Sequence, residues 1–95
     1  MNVILRPESA DDLDVAFDYY QRVKLGLGLE LLDEFRRGVD KILEFPRAWQ
    51  LLEDPFRRYR INRFPYGIVY RILEAEDFIV IVEFMHMNQL PRYRS

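Results

Sequence analysis

The chain has 95 residues, of which 49% are hydrophobic and 32% charged, with a formal net charge of −2 at pH 7. This length suits one domain with a single core, so residues 1–95 are expected to fold as one unit. With no cysteine and a single histidine, disulfide scaffolds and thiolate or histidine-rich metal sites are excluded, and no cofactor is expected. The longest apolar run, residues 78–82, is too short to cross a bilayer. No membrane association is expected, and a cytoplasmic location fits.

Charge is divided unevenly along the chain. Residues 1–54 carry 7 basic and 12 acidic side chains, whereas residues 55–95 carry 7 arginines against 4 acidic side chains. Guanidinium groups make bidentate contacts with carboxylates and phosphates, so this basic half favours an acidic or phosphate-bearing partner. Neutralisation of the chain's own acidic helices explains the pattern equally well, and the sequence leaves both interpretations open.

The first half predicts a strand and two helices. A short buried strand is expected at residues 2–6, and Ser9 then resembles a helix N-cap with Asp12 in a variant capping box. The first helix has apolar residues at helical spacing, namely Ala10, Leu13, Ala16, Phe17, Tyr20 and Val23. Gly26 and Gly28 are expected to break this helix and allow the chain to reverse.

A second amphipathic helix is predicted from about Leu29 to Glu44, where Pro46 stops it. Its buried stripe comprises Leu29, Leu32, Phe35, Val39, Ile42 and Leu43. The two helices form a hairpin that needs a surface to pack on. Residues 46–55 are predicted to be a connecting loop, with Trp49 anchoring it into the core.

Three strands are predicted at residues 57–63, 66–74 and 78–85. The alternation of Tyr66, Ile68, Tyr70 and Ile72 indicates a strand with one buried face, and Pro65 belongs at the join before it. Residues 74–77 form an acidic turn, and a polar, basic tail follows from His86. The order is β-α-α-β-β-β, an α+β fold in which a helical hairpin packs on a small, mostly antiparallel sheet.

This order and its signposts resemble the RelE/ParE superfamily of bacterial toxins, the protein half of many type II toxin–antitoxin (plasmid stabilisation) systems. The resemblance covers essentially the whole chain, and its most specific part is the run Phe-Pro-Tyr-x-Ile-x-Tyr followed by a hydrophobic strand that ends in His. The matching residues, in chain order, are 10–13, 16–20, Leu27-Gly28, 42–46, Arg57-Arg58, Phe64-Pro65-Tyr66, Ile68-Val69-Tyr70, His86, Pro91 and Tyr93.

The resemblance implies a growth-inhibiting toxin that a co-encoded antitoxin holds inactive, and two mechanisms are known on this fold. RelE-like members cleave mRNA in the ribosome, whereas ParE-like members poison DNA gyrase and need no nuclease site. A nuclease would use Arg58 and Arg60 to hold phosphate, His86 as base or acid and Tyr93 to assist, without a metal. In either case exposed arginines, namely Arg57, Arg58, Arg60, Arg63, Arg92 and Arg94, would pair with an acidic antitoxin segment.

Three departures from the superfamily pattern favour the ParE-like mechanism. Nuclease relatives carry an arginine at Gly67 and another before the tail proline, where this chain has Asn88-Gln89; Arg94 replaces a frequent terminal tryptophan. A neutral side chain cannot stabilise phosphorane charge as a guanidinium does. The prediction is a ParE-like gyrase poison, with a RelE-like ribonuclease second and a degenerate toxin that only binds its antitoxin third. The sequence leaves a homodimer open.

Overall fold

The computed structural model describes residues 1–93; Arg94 and Ser95 lie outside the described part. Seven elements follow one another: β1 Asn2–Leu5, α1 Pro7–Val23, α2 Leu27–Glu44, β2 Gln50–Glu53, β3 Phe56–Arg60, β4 Tyr66–Leu73 and β5 Phe78–His86. The five strands form one sheet in the order β1-β5-β4-β3-β2, in which β1 runs parallel to β5 and the other pairs are antiparallel. The predicted α+β fold is confirmed, with one strand more than expected.

Helix α1 begins three residues earlier than predicted, at Pro7. At this first helical position the N–H that proline lacks would have no partner within the helix. Arg6 is its N-cap residue, so the prediction for Ser9 is wrong. The buried Ser9 hydroxyl instead donates to the carbonyl oxygens of Arg6, at 2.7 Å, and Ile81, at 3.2 Å. This side chain therefore ties α1 to β5.

The turn between the helices needs only one glycine for its backbone conformation. Gly26 has φ 94°, a left-handed value that favours glycine, and the Gln21 side-chain oxygen accepts hydrogen bonds from the N–H groups of Gly26 and Gly28. Gly28 lies inside α2, where a Cβ would stand 2.8 Å from the carbonyl oxygen of Phe17. Gly28 therefore permits close helix packing, and α2 begins two residues before the predicted start.

Two residues assigned to the buried helical stripes are exposed. Val23 is 59% exposed and Leu29 is 57% exposed, whereas Leu31, outside the predicted stripe, is fully buried. Both exposed residues lie near the reversal at Gly26. Leu29 stands two residues before the fully buried Leu31, about 200° around the helix, so the stripe predicted for α2 includes a residue of the solvent face there.

The predicted loop of residues 46–55 contains β2, the missed strand. Gln50 pairs with Arg58 and Leu51 with Arg57, and the turn to β3 includes a cis peptide bond before Pro55. Trp49 anchors the segment as predicted, because its ring packs edge-on against Tyr59 with the centroids 4.7 Å apart. Strand β3 ends at residue 60 and not at 63.

The two faces of the sheet differ sharply. The helix-covered face carries the core, where Ile68, Tyr70, Ile79, Ile81 and Phe84 are buried against the helices together with Leu31 and Ile42. Alternation along the strands sends the neighbouring side chains, among them Arg58, Val69, Arg71, Glu83 and Met85, to the opposite side, which is called the uncovered face below. A β-bulge interrupts the pairing of β4 with β5 after Val69.

Candidate functional site

The β3 arginines divide between the two faces of the sheet. Arg57 shares the helix-covered side with Tyr59 and donates to the carbonyl oxygen of Trp49 at 2.8 Å. Arg58 lies on the uncovered face against Gly67, where it donates to the side-chain oxygen of Gln50 at 2.9 Å and contacts the sulfur of Met85 at 3.8 Å. Arg60 is exposed on the same face, beside Gly67.

Arg63 does not belong to the strand that was predicted to carry it. It lies in the connection between β3 and β4 with φ 69°, and its guanidinium pairs with Glu30 and, at 3.8 Å, with Glu34 of α2. The hydrogen bond with Arg63 lowers the pKa of the Glu30 carboxyl, against the opposing effect of desolvation. Arg63 therefore links the connection to α2, away from Arg58 and Arg60.

His86 ends β5 on the helix-covered side. Its ring packs edge-on against Tyr66, with the centroids 5.2 Å apart, and its Nδ1 accepts a hydrogen bond from the N–H of Asn88 at 3.0 Å. It lines a cleft of about 380 Å³ together with Asp12, Tyr66 and Leu90. Burial, followed by the neighbouring Tyr20 and Tyr19, raises the pKa of Tyr66 in this cleft.

The residues proposed for a nuclease therefore do not converge. Arg58 and Arg60 lie on the uncovered face, where Tyr93 also packs against Phe56 with ring centroids 4.4 Å apart. His86 faces the other side of the sheet, with Tyr66. A general acid or base has to reach the reacting oxygen within hydrogen-bond distance, and a sheet layer separates His86 from these groups.

Arg92 acts as a clamp for the tail. Its backbone N–H and its Nε donate to the two carboxylate oxygens of the buried Glu83, at 2.8 and 3.0 Å, and its Nη2 donates to Asp12 at 2.7 Å. The hydrogen bonds to Asp12 and then Glu83 raise the pKa of Arg92. Asp12 also accepts the N–H of Phe84 at 3.2 Å, so it connects α1 to β5 and the tail and is no capping-box residue.

Of the six arginines predicted to bind the antitoxin, Arg57, Arg58, Arg63 and Arg92 hold contacts within the chain. Arg60 is exposed, and Arg94 lies outside the described residues. Neutralisation of the chain's own carboxylates, the second interpretation of the charge pattern, thus accounts for Arg63 and Arg92. No local pattern could have indicated the partners of Arg92, because Asp12 lies 80 residues away along the chain.

Two further surfaces stand out. An apolar cleft of about 390 Å³ lies between β1 and the helical hairpin and is lined by Val3, Leu5, Leu13, Leu32, Phe35, Val39 and Ile81, with Arg36 beside them. On α1, Val15 and Tyr19 are 70% and 57% exposed, one helical turn apart. Their helical spacing is present in the sequence, but the buried stripe predicted for α1 consists of other residues.

The described residues offer neither a metal site nor a membrane span. Within residues 1–93, no three His, Asp or Glu side chains come together as metal ligands. None of the helices in this range is both long and apolar enough to cross a bilayer.

Residues 3–91 match the family described as the ParE toxin of type II toxin-antitoxin system, parDE. Among solved structures, the chromosomal ParDE toxin–antitoxin system from P. aeruginosa contains a chain that superposes with a TM-score of 0.81 at 17% sequence identity. The superposition covers 93% of this chain and 97% of that one. No curated protein matches the sequence.

Proposed function

Because the chain belongs to the family of ParE toxins of type II toxin–antitoxin systems, we propose that it inhibits growth by binding DNA gyrase and not by cutting mRNA. The observation that carries this proposal is the separation of His86 from Arg58 and Arg60 by the sheet. Gly67 supports it as well, because the Arg58 side chain and Met87 fill the space that a longer side chain would need. A protein that acts by binding requires no converging acid and base.

Induced expression in a bacterial host lacking the antitoxin tests the proposal. Messenger RNA cleavage and the DNA damage response are followed side by side, and the purified protein is added to a gyrase supercoiling assay. We expect a damage response, intact mRNA and inhibited supercoiling. Codon-linked mRNA cuts would establish the ribonuclease alternative, and silence in every assay from folded protein would leave a module that only binds its antitoxin.

Two variants separate the mechanisms further. His86→Gln and Arg60→Gln remove the predicted acid–base and phosphate-binding groups from residues that are half-buried or exposed. Under the gyrase proposal both variants keep growth inhibition, apart from small effects on binding. Loss of growth inhibition in both variants, with circular dichroism unchanged, would contradict the proposal.

A cognate antitoxin is the partner that family membership implies, and we propose that its apolar residues occupy the cleft between β1 and the helical hairpin. This cleft holds seven apolar side chains at a sheet edge, and an exposed apolar cleft beside an edge strand is a common docking surface for a partner segment. Arg36 also lines the cleft, and its guanidinium, which pairs with Asp33 at 3.3 Å across an exposed helix turn, can exchange this partner for an acidic residue of the antitoxin.

Two matched leucines test this location. Leu5 lines the cleft on edge strand β1 and is 37% exposed, and Leu51 lies on the opposite edge strand β2 and is 49% exposed. Leu5→Asp should weaken antitoxin binding by at least about tenfold, because a charge is buried against apolar residues. Leu51→Asp should leave the affinity unchanged in the same titration, and equal effects would place the antitoxin elsewhere.

A further inference from the structure

A second cleft, on the uncovered face, is built around Arg71. It has a volume of about 370 Å³, and its lining includes Arg6, Glu8, Phe56, Arg71, Glu83 and Tyr93. The cross-strand pair of Arg71 and Phe56 forms its floor, with the guanidinium carbon 5.8 Å from the centre of the Phe56 ring. Tyr93 packs on the same ring at 4.4 Å, so a cation and two aromatic rings meet in one depression.

Charge in this cleft is balanced except at Arg71. Arg6 pairs with Glu8 at 3.7 Å, and Glu83 is held by Arg92 at 3.0 Å. Within residues 1–93, the Arg71 side chain forms no ion pair or hydrogen bond, and its Nε is buried without an acceptor. A buried donor without an acceptor is unfavourable, so an acceptor that reaches this guanidinium is favoured.

We propose that this cleft, here called the Arg71 cleft, binds the carboxylate of an acidic side chain that stands beside an apolar residue in a protein partner. A guanidinium offers a planar pair of donors that matches the two oxygens of a carboxylate. The rings of Phe56 and Tyr93 provide the surface for the adjoining apolar group. A carboxylate carries one negative charge, whereas a phosphate carries close to two. Glu8 and Glu83 would therefore repel a phosphate more strongly than a carboxylate.

The position of the Arg71 cleft indicates which partner supplies this carboxylate, an inference that rests on the proposed function. Leu5 lines the apolar cleft and Arg6, the next residue, lines the Arg71 cleft. The two clefts thus lie on either side of the sheet at the end of edge strand β1. A sheet and its side chains are ~10 Å thick, which about three to five extended residues can span. One antitoxin segment can therefore cross this edge and occupy both clefts.

The first experiment titrates the full-length free protein with phenylacetate, acetate and inorganic phosphate at constant ionic strength, while the Nε–H signals of the arginines are followed by ¹⁵N NMR. Phenylacetate should bind saturably, shift the Arg71 Nε–H signal and bind more tightly than acetate, because its ring adds contact with Phe56. A response of Arg71 to phosphate that exceeds the response to either carboxylate would overturn the proposal. An absence of saturable change at Arg71 would overturn it too.

Substitutions then locate the binding. Arg71→Gln should lower phenylacetate affinity by at least about tenfold, and Arg71→Lys should give an intermediate loss because it keeps the charge but not the paired donors. The control is Arg22→Gln, an exposed arginine on α1 outside the Arg71 cleft, which should bind as the wild type does. Equal losses in the Arg71 and Arg22 variants would show a general charge effect and contradict a defined site.

Antitoxin binding is measured separately with the same variants. Arg71→Gln should weaken the complex and Arg22→Gln should not; a complex insensitive to Arg71→Gln would overturn the assignment of the ligand to the antitoxin. Gyrase inhibition has no part in these titrations. A failure of the gyrase proposal is therefore distinguishable from a failure of the Arg71 cleft.

Discussion

The two faces of one sheet are covered in different ways. On the helix-covered face, fully buried apolar residues such as Leu31, Ile68 and Ile79 exclude water, and burial of this kind is the dominant favourable contribution to folding. Within residues 1–93 no helix covers the other face, yet Val69 and Met85 are fully buried there, and Glu83 is buried too because the tail closes on it through Arg92. The comparison teaches that the uncovered face adds charge pairing through one short segment to its apolar burial, and that it leaves the Arg71 Nε without an acceptor.

The largest expected effect lies on the helix-covered face. Leu31→Ala should lower the free energy of unfolding by about 3 kcal/mol, because the surrounding core cannot fill the cavity. Urea denaturation followed by circular dichroism measures it, with Val15→Ala, 70% exposed on α1, as the control within about 0.5 kcal/mol. Similar losses in the two variants would show that α2 does not seal this face.

On the uncovered face, Glu83→Gln should cost about 2 kcal/mol, because an amide can accept the Arg92 backbone N–H but presents its NH₂ group to the Arg92 Nε. Tail proteolysis should accelerate at the same time. Glu76→Gln in the exposed turn after β4 is the control. If Glu83→Gln unfolds as the wild type does and its tail stays protected, the clamp does not hold this face.

Tyr70→Phe on the helix-covered face should lower the free energy of unfolding by about 1 kcal/mol at neutral pH. The variant lacks the hydroxyl that donates a hydrogen bond to the Pro46 carbonyl oxygen. Burial raises the pKa of Tyr70 from 10.0 to about 12. The folded state thus holds this proton more tightly than the unfolded state, so the stabilisation is complete below pH 10 and is lost as the pH rises towards 12.

Denaturation curves of wild type and Tyr70→Phe across this alkaline range check the sign. The wild type should lose more stability than the variant, because only the wild type carries the Tyr70 hydroxyl. Tyr20 and Tyr66, whose pKa values are also raised, titrate in both proteins and do not contribute to the difference. Parallel pH profiles would mean that Tyr70 ionises as easily in the folded as in the unfolded protein.

The smallest effect is expected at Arg60. Arg60→Gln on the uncovered face should change the free energy of unfolding by no more than about 0.5 kcal/mol, because the side chain is exposed. Thermal unfolding of the variant measures this directly. A clearly larger loss would reveal that this arginine, like Arg92, is part of what holds the uncovered face together.

Periodicity accounts for what the sequence predicted well. Strand β4 alternates aromatic or β-branched residues with others over its eight residues, and β5 opens with a continuous apolar run at residues 78–82; both patterns are typical of strands. Strand β2 has four residues and mostly exposed side chains. It exists because it pairs with β3, and this pairing depends on a turn geometry that local composition does not specify.

The candidate site was harder to predict because it depends on which face each residue occupies. Nothing in the local sequence relates Arg58 to His86, since their relative orientation is set by the register of β3 on β4 and of β4 on β5. The arginine-rich run suggested one surface, yet Arg57 turns to the opposite side from Arg58 and Arg63 leaves the strand. Neighbouring side chains of a strand point to opposite faces of the sheet, so residues that cluster in the sequence are separated in the structure.

The pairing of β1 with β5 has a consequence for the order in which the protein folds. In the part of the chain that the structure describes, β1 pairs only with β5, and Ser9 of α1 reaches Ile81 across 72 residues. During synthesis, the start of the chain must wait until β5 has left the ribosome before it can dock. Contacts between such distant residues slow folding, so a newly made molecule exposes the apolar side chains of β1 until its final strand arrives.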